Sequence, residues 1–213
     1  FGVQDDKITV VHNGVEKAPA IEGKEDVRKR FGIDQDFIIS VSTLQPRKNI
    51  EGLIRAYDSL RSSSVFKNYQ LVIAGNKGWD YKEIFQLVKK LALTKKIIFT
   101  DYISKKDKFA LLKEASLLVF PSFYEGFGLS IIEAMQQGTP VVTSKITSMP
   151  EVAGKAGLLV DPYKETSIAQ GIKKVLTDDE LEQRMIRSGL AHAKKFSWQA
   201  TAERTLQVYK TLT

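Results

Sequence analysis

Short apolar runs alternate with longer amphipathic stretches along most of this sequence, and the alternation limits the folds open to it. Each run is too short for a buried helix and is rich in Ile, Val, Leu or Phe, which favours a buried strand. The predicted strands cover residues 37–41, 70–74, 96–100, 117–120, 140–143 and 157–160. Strands and helices in regular alternation form right-handed βαβ units, so we expect an α/β protein with a parallel sheet and helices on both faces.

The stretches between the strands repeat apolar residues every three or four positions, as amphipathic helices do. The predicted helices cover 49–60, 81–91 and 129–137, and the region from 165 to 210 with breaks near 177–178 and 196–197. Ser104 and Asp107 are spaced as a helix-capping signal, and Gly138 is placed to end the 129–137 helix. No repeat or long linker interrupts the pattern, so residues 1–213 are predicted to form a single domain.

Six strands in this arrangement fit a doubly wound sheet with the order 3-2-1-4-5-6. In that order strands 1 and 4 are neighbours, and ligands bind beyond their carboxyl ends. The loops that follow these two strands, residues 42–49 and 121–128, lie far apart in the sequence. We expect them to face each other across one crevice, which is the predicted functional site.

The composition excludes several kinds of site. Cysteine is absent, and the two histidines, His12 and His192, stand at opposite ends of the chain. A thiolate metal site, a Cys–His dyad and a histidine-rich metal centre are therefore ruled out. The formal net charge of +7 favours an anionic partner such as a phosphorylated small molecule, a membrane surface or nucleic acid. No nucleic-acid-binding motif or interleaved aromatic stripe is present, so we expect no nucleic-acid partner.

The loop after the first strand places Arg47 and Lys48 immediately before a helix N-terminus. A guanidinium and an ammonium group suit a phosphate there, and the free helix N–H groups and the helix dipole add to the attraction. Two solvated charges are the alternative, but positive side chains are unfavourable at this end of a helix. We therefore predict that something anionic compensates them.

The loop after the fourth strand reads EGFGLSIIE from Glu125 to Glu133. Gly126 and Gly128 let the backbone approach a ligand closely and expose N–H donors at the start of the next helix. The Glu125 carboxylate can point into the crevice. Glu133 lies one turn inside the helix on an apolar segment, where a carboxylate is costly unless it is paired. Two kinds of partner stay open for it: a pair of sugar hydroxyls, or a nearby Lys or Arg.

Several motifs, in the expected order, resemble the retaining glycosyltransferases of family 4. The matching segments are NGV at 13–15, TLQPRKN at 43–49, EGFGLSIIEA at 125–134 with GTPVV at 138–142, PE at 150–151 and GLLVDP at 157–162. Glu125 and Glu133 correspond to the E-x7-E signature of that family, and 43–49 to its diphosphate-contacting loop. The resemblance extends over essentially all 213 residues.

The resemblance implies the C-terminal, donor-binding domain of a GT-B enzyme, a Rossmann-like sheet followed by C-terminal helices. It also implies that an N-terminal acceptor domain is absent from this chain. The sequence begins with Phe1 rather than Met, so we expect a piece of a longer protein that binds a nucleoside diphosphate weakly and transfers nothing alone. The helix from Trp198 onward resembles the tail that crosses back to the missing half.

The implied reaction transfers a hexosyl group from a nucleotide-diphosphate sugar, GDP-mannose or a UDP-hexose, to a glycan or lipid-linked acceptor with retention of anomeric configuration. Negative charge grows on the leaving phosphate, and Arg47 and Lys48 are predicted to stabilise it. Glu125, by resemblance, lies near the sugar, which makes these three the predicted catalytic residues. No metal or other cofactor is expected. A non-catalytic nucleotide-sugar-binding module and a GT-B epimerase of UDP-sugars stay open as alternatives.

The predicted donor-binding residues follow from the same comparison. The backbone N–H groups of Phe127, Gly128 and Leu129 are expected to hold sugar hydroxyls or phosphate. Glu133 is expected to accept hydrogen bonds from the ribose, as an acidic residue does in dinucleotide folds. The base is expected to rest against Tyr102 and Ile103.

The sequence departs from the family pattern at three positions. Ser42 and Asp101 stand where family members commonly have glycine, and Thr43 replaces an arginine that is often found there. The Cβ atoms of Ser42 and Asp101 are expected to tighten the phosphate loop and the base pocket.

No apolar run approaches the ~20 residues that span a bilayer, and no signal-peptide pattern opens the chain. We expect a cytoplasmic protein with possible peripheral contact at the inner membrane surface, because many relatives glycosylate lipid-linked acceptors. The lysines considered for such contact are interpreted as solvated; they are Lys105, Lys106, Lys108, Lys194 and Lys195.

Other signals are assigned structural roles. Asp34-Gln35-Asp36 matches a DxD metal–nucleotide motif of another glycosyltransferase fold, but it precedes the first strand and is predicted to be a turn. The Gly75–Gly78 segment is also predicted to be a turn. His12 is interpreted as a linker residue and His192 as a helix-surface residue.

Overall fold

The structure is a computed structural model that describes residues 2–19 and 27–211. Phe1, on which one expectation rests, lies outside the described residues. The strands are β1 (Asp36–Val41), β2 (Tyr69–Ala74), β3 (Ile97–Phe99), β4 (Leu117–Phe120), β5 (Val141–Ser144) and β6 (Leu158–Val160). They form one parallel sheet in the order β3-β2-β1-β4-β5-β6. The predicted doubly wound, Rossmann-like architecture is confirmed.

The helices of the described residues also follow the apolar spacing. They are α1 (Val27–Arg30), α2 (Ile50–Leu60), α3 (Lys82–Lys90), α4 (Lys105–Glu114), α5 (Leu129–Gln136), α6 (Met149–Ala153), α7 (Glu165–Leu176), α8 (Asp179–Ala193) and α9 (Trp198–Lys210). The sequence analysis missed α1 and α6, because four or five residues are too few to show a helical period. None of these helices is both long enough and apolar enough to cross a membrane.

The sheet has an apolar core on each face. In β1, the side chains of Phe37 and Ile39 pack on one face and that of Ile38 on the other, as alternation along a strand requires. Helices α2, α3 and α7 cover the face of Ile38, and α4, α5 and α6 cover the face of Phe37. Both faces of the sheet are buried, which explains why each strand is a continuous run of apolar residues in the sequence.

The helix boundaries have local causes. The Ser104 hydroxyl accepts a hydrogen bond of 3.1 Å from the Asp107 N–H and caps α4, as predicted. Asp178 caps α8 in the same way, which accounts for the predicted break near 177–178. Gly138 has a φ of +77°, and its N–H donates to the Met135 carbonyl after α5. The left-handed conformation of this glycine ends the helix.

The segment before α1 lies beside the last helix. The Val15 N–H donates to the Phe196 carbonyl at 3.0 Å, and the Thr201 hydroxyl donates to the His12 carbonyl at 2.8 Å. Gly14 has no room for a side chain, because a Cβ there would lie 2.2 Å from the backbone nitrogen of Trp198. The two ends of the described chain are therefore packed tightly together.

Candidate functional site

The loops that follow β1 and β4 meet, as the sheet order predicts. The Phe123 N–H donates to the Arg47 carbonyl at 2.8 Å. Asn49, which is buried with a φ of +54°, donates its side-chain amide to the carbonyls of Pro121 at 3.1 Å and Pro162 at 2.7 Å. Asn49 thus joins the loops after β1, β4 and β6. The sequence analysis missed this role, because an asparagine in a polar loop carries no distinguishing signal.

The three predicted catalytic residues form one cluster. The Glu125 carboxylate accepts a hydrogen bond from Arg47 at 2.9 Å through one oxygen and from Lys48 at 2.5 Å through the other. Arg47 also donates to the Tyr124 carbonyl at 2.9 Å. Glu125 is 8% exposed, so the carboxylate lies between its two cationic partners largely out of water. We call these three residues, whose catalytic role is a prediction, the catalytic cluster.

Burial governs the electrostatics of Lys48. Its side chain is only 10% exposed, and its ammonium nitrogen lies 5.2 Å from the centre of the Phe120 ring. Desolvation lowers the pKa of Lys48 below its ordinary value, and the hydrogen bond and charge of Glu125 oppose that change without cancelling it. The ammonium group is thus less stably protonated than a lysine in water.

The start of α5 presents backbone donors beside the cluster. Gly128 has a φ of +104°, a conformation that favours glycine, and precedes the first helical residue, Leu129. The structure describes no hydrogen-bond acceptor for the N–H groups of residues 127–129. The Ser130 hydroxyl donates to the Val41 carbonyl at 3.2 Å, which holds this end of α5 against the end of β1.

The residues before α6 support this loop. The Ser148 hydroxyl lies 2.9 Å from the carbonyl oxygens of both Glu125 and Phe127. Thr147 has a φ of +56°, which is strained for a β-branched residue, and its hydroxyl accepts from the Glu125 N–H at 3.4 Å. The sequence analysis missed both residues. The strained backbone of Thr147 and the hydrogen bonds of both residues hold the loop that begins at Glu125, and such strain is often found beside binding sites.

Four predicted donor-binding residues line one cavity of ≈ 370 Å³: Tyr102, Ile103, Leu129 and Glu133. Gly14 and Trp198, from the two ends of the described chain, line the same cavity. It lies among the helices α4, α5 and α9. We call it the Glu133 cavity.

Glu133 has a cationic partner in this structure. The Lys108 ammonium donates to one oxygen of its carboxylate at 2.5 Å, and the two side chains are 24% and 13% exposed. The interpretation of Lys108 as a solvated lysine was therefore wrong. The nearby Lys105 pairs with Glu16 and also lines the cavity. Glu133 keeps its place in the lining of the cavity while it is paired with Lys108.

The catalytic cluster and the Glu133 cavity adjoin but are distinct. Arg47, Lys48 and Glu125 are not among the residues that line the cavity. The segment 125–133, with its free N–H groups, connects the two. An elongated ligand with its negative charge at one end of the cavity fits this arrangement.

The histidines and the DxD segment do not line the Glu133 cavity. His12 Nε2 is 2.6 Å from a Glu151 oxygen, and the His12 ring packs against the rings of Phe196 and of Phe127, which lies in the loop before α5. His192 is half-buried with Nε2 2.8 Å from the Val152 carbonyl oxygen, so the interpretation as a simple helix-surface residue was wrong.

Asp36 of the DxD segment is the first residue of β1 rather than part of a turn, at the amino end of the sheet. Among the residues that the structure describes, no group of three or more His, Asp or Glu side chains is placed to hold a metal ion. A reaction without metal stays a prediction.

Asp101 shows why glycine suits its position in the related family. Its φ is +53°, in the left-handed region that glycine adopts at no cost. Its carboxylate lies 3.3 Å from Lys77 on the surface. Asp101 therefore stands at this position with a strained backbone.

The sheet order and a site at the carboxyl ends of β1 and β4 define a Rossmann-like α/β domain of the kind that binds nucleotides. The family model described as "Glycosyl transferases group 1" matches residues 23–192. The chain belongs to this family.

Relatives of known name agree with the family. The O-antigen chain mannosyltransferase B of Escherichia coli is 40% identical over 178 residues, which are 84% of this chain and 46% of that protein. The D-inositol 3-phosphate glycosyltransferase of Corynebacterium glutamicum (strain R) is 30% identical over 98% of this chain and 53% of its own length. The chain thus spans about half the length of these relatives.

A solved structure shows the same fold. Anabaena Alr3699/HepE, in complex with UDP and glucose, superposes with a TM-score of 0.81 at 24% identity, over 99% of this chain and 58% of that protein.

Proposed function

We propose that this chain is the donor-binding domain of a hexosyltransferase that uses a nucleotide-diphosphate sugar and retains the anomeric configuration. The observation that carries the proposal is the meeting of Arg47, Lys48 and Glu125 at the carboxyl ends of β1 and β4, beside the Glu133 cavity. Two cations, a row of free N–H groups and a carboxylate-lined cavity match a diphosphate attached to a nucleoside.

The nucleoside occupies the Glu133 cavity in this proposal. The Glu133 carboxylate has oxygen lone pairs beyond the one that Lys108 uses, and these accept hydrogen bonds from the ribose hydroxyls. The base rests against Tyr102 and Ile103, which line the same cavity. HepE, which has the same fold, was solved in complex with UDP and glucose, and this supports a nucleotide as the ligand.

The diphosphate lies over the catalytic cluster and the start of α5. Arg47 and Lys48 stabilise the negative charge that grows as the sugar–phosphate bond breaks, and the N–H groups of residues 127–129 add fixed dipoles. These groups meet the charge of the diphosphate, so the proposal includes no metal. Arg47 and Lys48 must then exchange the Glu125 carboxylate for phosphate oxygens, which frees Glu125 for the sugar.

The identities of donor and acceptor are also part of the proposal. The name of the E. coli mannosyltransferase favours GDP-mannose over a UDP-hexose as donor. The acceptor is a glycan or a lipid-linked glycan, held in part by a domain that the longer relatives possess. The enzyme acts in the cytoplasm, with peripheral contact at the membrane when the acceptor is lipid-linked.

Calorimetric titration of the chain with GDP, UDP and ADP tests the proposal. We expect one nucleotide to bind clearly, and we expect both Lys48→Ala and Glu133→Ala to weaken it at least about tenfold, or ~1.4 kcal/mol. Lys106→Ala is the matched control, because Lys106 is an exposed lysine on α4 that does not line the cavity. Negligible heats for all three nucleotides, or equal losses in the control, would contradict the proposal.

A further inference from the structure

A second cavity lies at the same edge of the sheet but among the helices of the other face. Its volume is ≈ 350 Å³, and it is bounded by the loops after β1 and β6 and by the first turns of α2, α3 and α7. These three helices pack on the face of the sheet opposite α4 and α5, which bound the Glu133 cavity. The proposed donor site makes no use of this second cavity.

Aromatic side chains line or border the second cavity. Tyr163, which is 71% exposed, stacks on Phe123 with ring centres 5.0 Å apart and an interplanar angle of 21°. Both rings line the cavity. Trp79 is 58% exposed, and its indole N–H donates to the side chain of Gln45, another lining residue, at 3.0 Å. Exposed aromatic side chains that are grouped at one cavity, unlike single scattered ones, are a feature of binding sites.

The polar lining of the cavity does not suit an anion. Three carboxylates line it, from Glu51, Asp80 and Glu165, against the single guanidinium of Arg55. Arg55 lies 3.4 Å from Glu165, so part of its charge is already neutralised. A phosphate would be repelled, whereas carboxylate and guanidinium groups both form hydrogen bonds with neutral hydroxyls.

Aromatic faces with surrounding hydroxyl-binding groups match a sugar. The C–H face of a pyranose ring packs on an aromatic ring, and its hydroxyls meet carboxylates and a guanidinium at the edge. We propose that the second cavity binds a neutral oligosaccharide. This assignment is independent of the nucleotide site.

The position of the cavity gives the saccharide a role. The Phe123 N–H donates to the Arg47 carbonyl at 2.8 Å, so the aromatic pair adjoins the catalytic cluster. The saccharide therefore lies on the side of the cluster away from the nucleoside, next to the proposed position of the donor sugar. Its identity as the growing acceptor glycan rests on the proposed function.

The test is an NMR titration of the isotopically labelled chain with α-linked mannotriose. We expect shifts at the amides of Gly52, Asp80 and Tyr163, with a dissociation constant of about 1–10 mM, as for a small neutral ligand in an open site. Tyr163→Ala should weaken binding at least about fivefold, and Tyr163→Phe, which keeps the ring, should stay within about twofold. A parallel GDP titration should shift Ile103 and Glu133 equally in all three proteins.

The outcomes separate this proposal from the nucleotide site. No mannotriose shifts, shifts only around Ile103 and Glu133, or equal affinity in Tyr163→Ala would each overturn the saccharide site. Mannotriose shifts at the second cavity without GDP shifts would support the saccharide site and defeat GDP as the donor nucleotide.

Discussion

The carboxylate of Glu125 occupies both cationic side chains of the catalytic cluster. Glu125 is nearly buried and accepts from both Arg47 and Lys48, so the two cations that suit a phosphate are already engaged. Removing one partner from a buried charge group is costly, because the remaining charges stay out of water without compensation. The residue that we place near the sugar therefore also maintains the site before the donor arrives.

Replacing the Glu125 carboxylate by a neutral amide should raise the affinity for GDP and lower the stability of the fold. We expect Glu125→Gln to bind GDP about 3- to 10-fold more tightly, or roughly 1 kcal/mol, because the carboxylate no longer competes with the diphosphate. The melting temperature should fall, since Lys48 loses its charged partner. Calorimetry for binding and for unfolding measures the two effects.

Glu133→Gln is the matched control for this prediction. It removes a carboxylate from the same segment, but one that we expect to hold the ribose, so GDP should bind less tightly. Weaker GDP binding in Glu125→Gln as well would show that the carboxylate does not compete with the ligand.

Asp101 offers a test of backbone strain. Its φ of +53° is costly for a residue with a Cβ, although Asp tolerates it better than most. We expect Asp101→Gly to raise the free energy of unfolding by about 0.5–1 kcal/mol and Asp101→Ala to lower it by about as much. Urea unfolding measures the stability of both variants. The Lys77→Ala variant measures separately the loss of the exposed ion pair between Lys77 and Asp101. Equal stability of the Gly and Ala variants would refute the strain argument.

At the scale of helices and strands, the sequence predicted what depends on local spacing. The six strands and the long helices agree with their predicted limits to within one or two residues, since each carries its own apolar period. The sequence could not pair Lys108 with Glu133, because that pair depends on how α4 and α5 rotate against each other. The short α6 and the support that Ser148 gives the donor loop also have no local signal.

Tyr57 joins α2 to β2 and makes stability depend on pH. Its hydroxyl donates to the Tyr69 carbonyl at 2.6 Å, and burial raises the pKa of Tyr57 to about 12. Because the folded state keeps this proton between pH 10 and about 12 while the unfolded state loses it, the stabilisation is complete below pH 10 and is lost as the pH rises to about 12.

Tyr57→Phe should remove this pH dependence. At pH 7 we expect the variant to be about 1 kcal/mol less stable, because the Tyr69 carbonyl loses its donor. Between pH 9.5 and 12 the wild type should lose roughly 2 kcal/mol more than the variant. Urea unfolding across this range is the measurement, and the two proteins should respond alike to the titration of their lysines. Parallel stability curves would contradict the assignment.

For the molecule as a whole, the sheet order was predictable and the meeting of the chain ends was not. Regular alternation of strands and helices is compatible with only a few sheet topologies. The doubly wound order among them places the loops after β1 and β4 together. By contrast, Gly14 and Trp198 complete the Glu133 cavity from opposite ends of the described chain. A contact over such a separation depends on the packing of α9, which the apolar period alone does not fix.

Gly14→Ala tests this closure. The added Cβ would lie 2.2 Å from the backbone nitrogen of Trp198, so the start of α9 must move away from Gly14. We expect a lower melting temperature and GDP binding at least about fivefold weaker, or ~1 kcal/mol. Lys17→Ala, an exposed substitution in the same segment, is the control and should leave both unchanged. Unaltered GDP affinity in Gly14→Ala would show that α9 takes no part in the nucleotide site.

The engagement of Arg47 and Lys48 by Glu125 also sets how the site responds to dissolved ions. Where the cationic side chains of a binding site have no partner in the protein, anions from the salt compete with a negatively charged ligand for them. The affinity for that ligand then falls steeply as the ionic strength rises. Here the chain carries its own internal counterion, and binding exchanges one anion for another within the protein. Donor recognition should therefore vary little with salt concentration, and Glu125→Gln should restore the steep dependence.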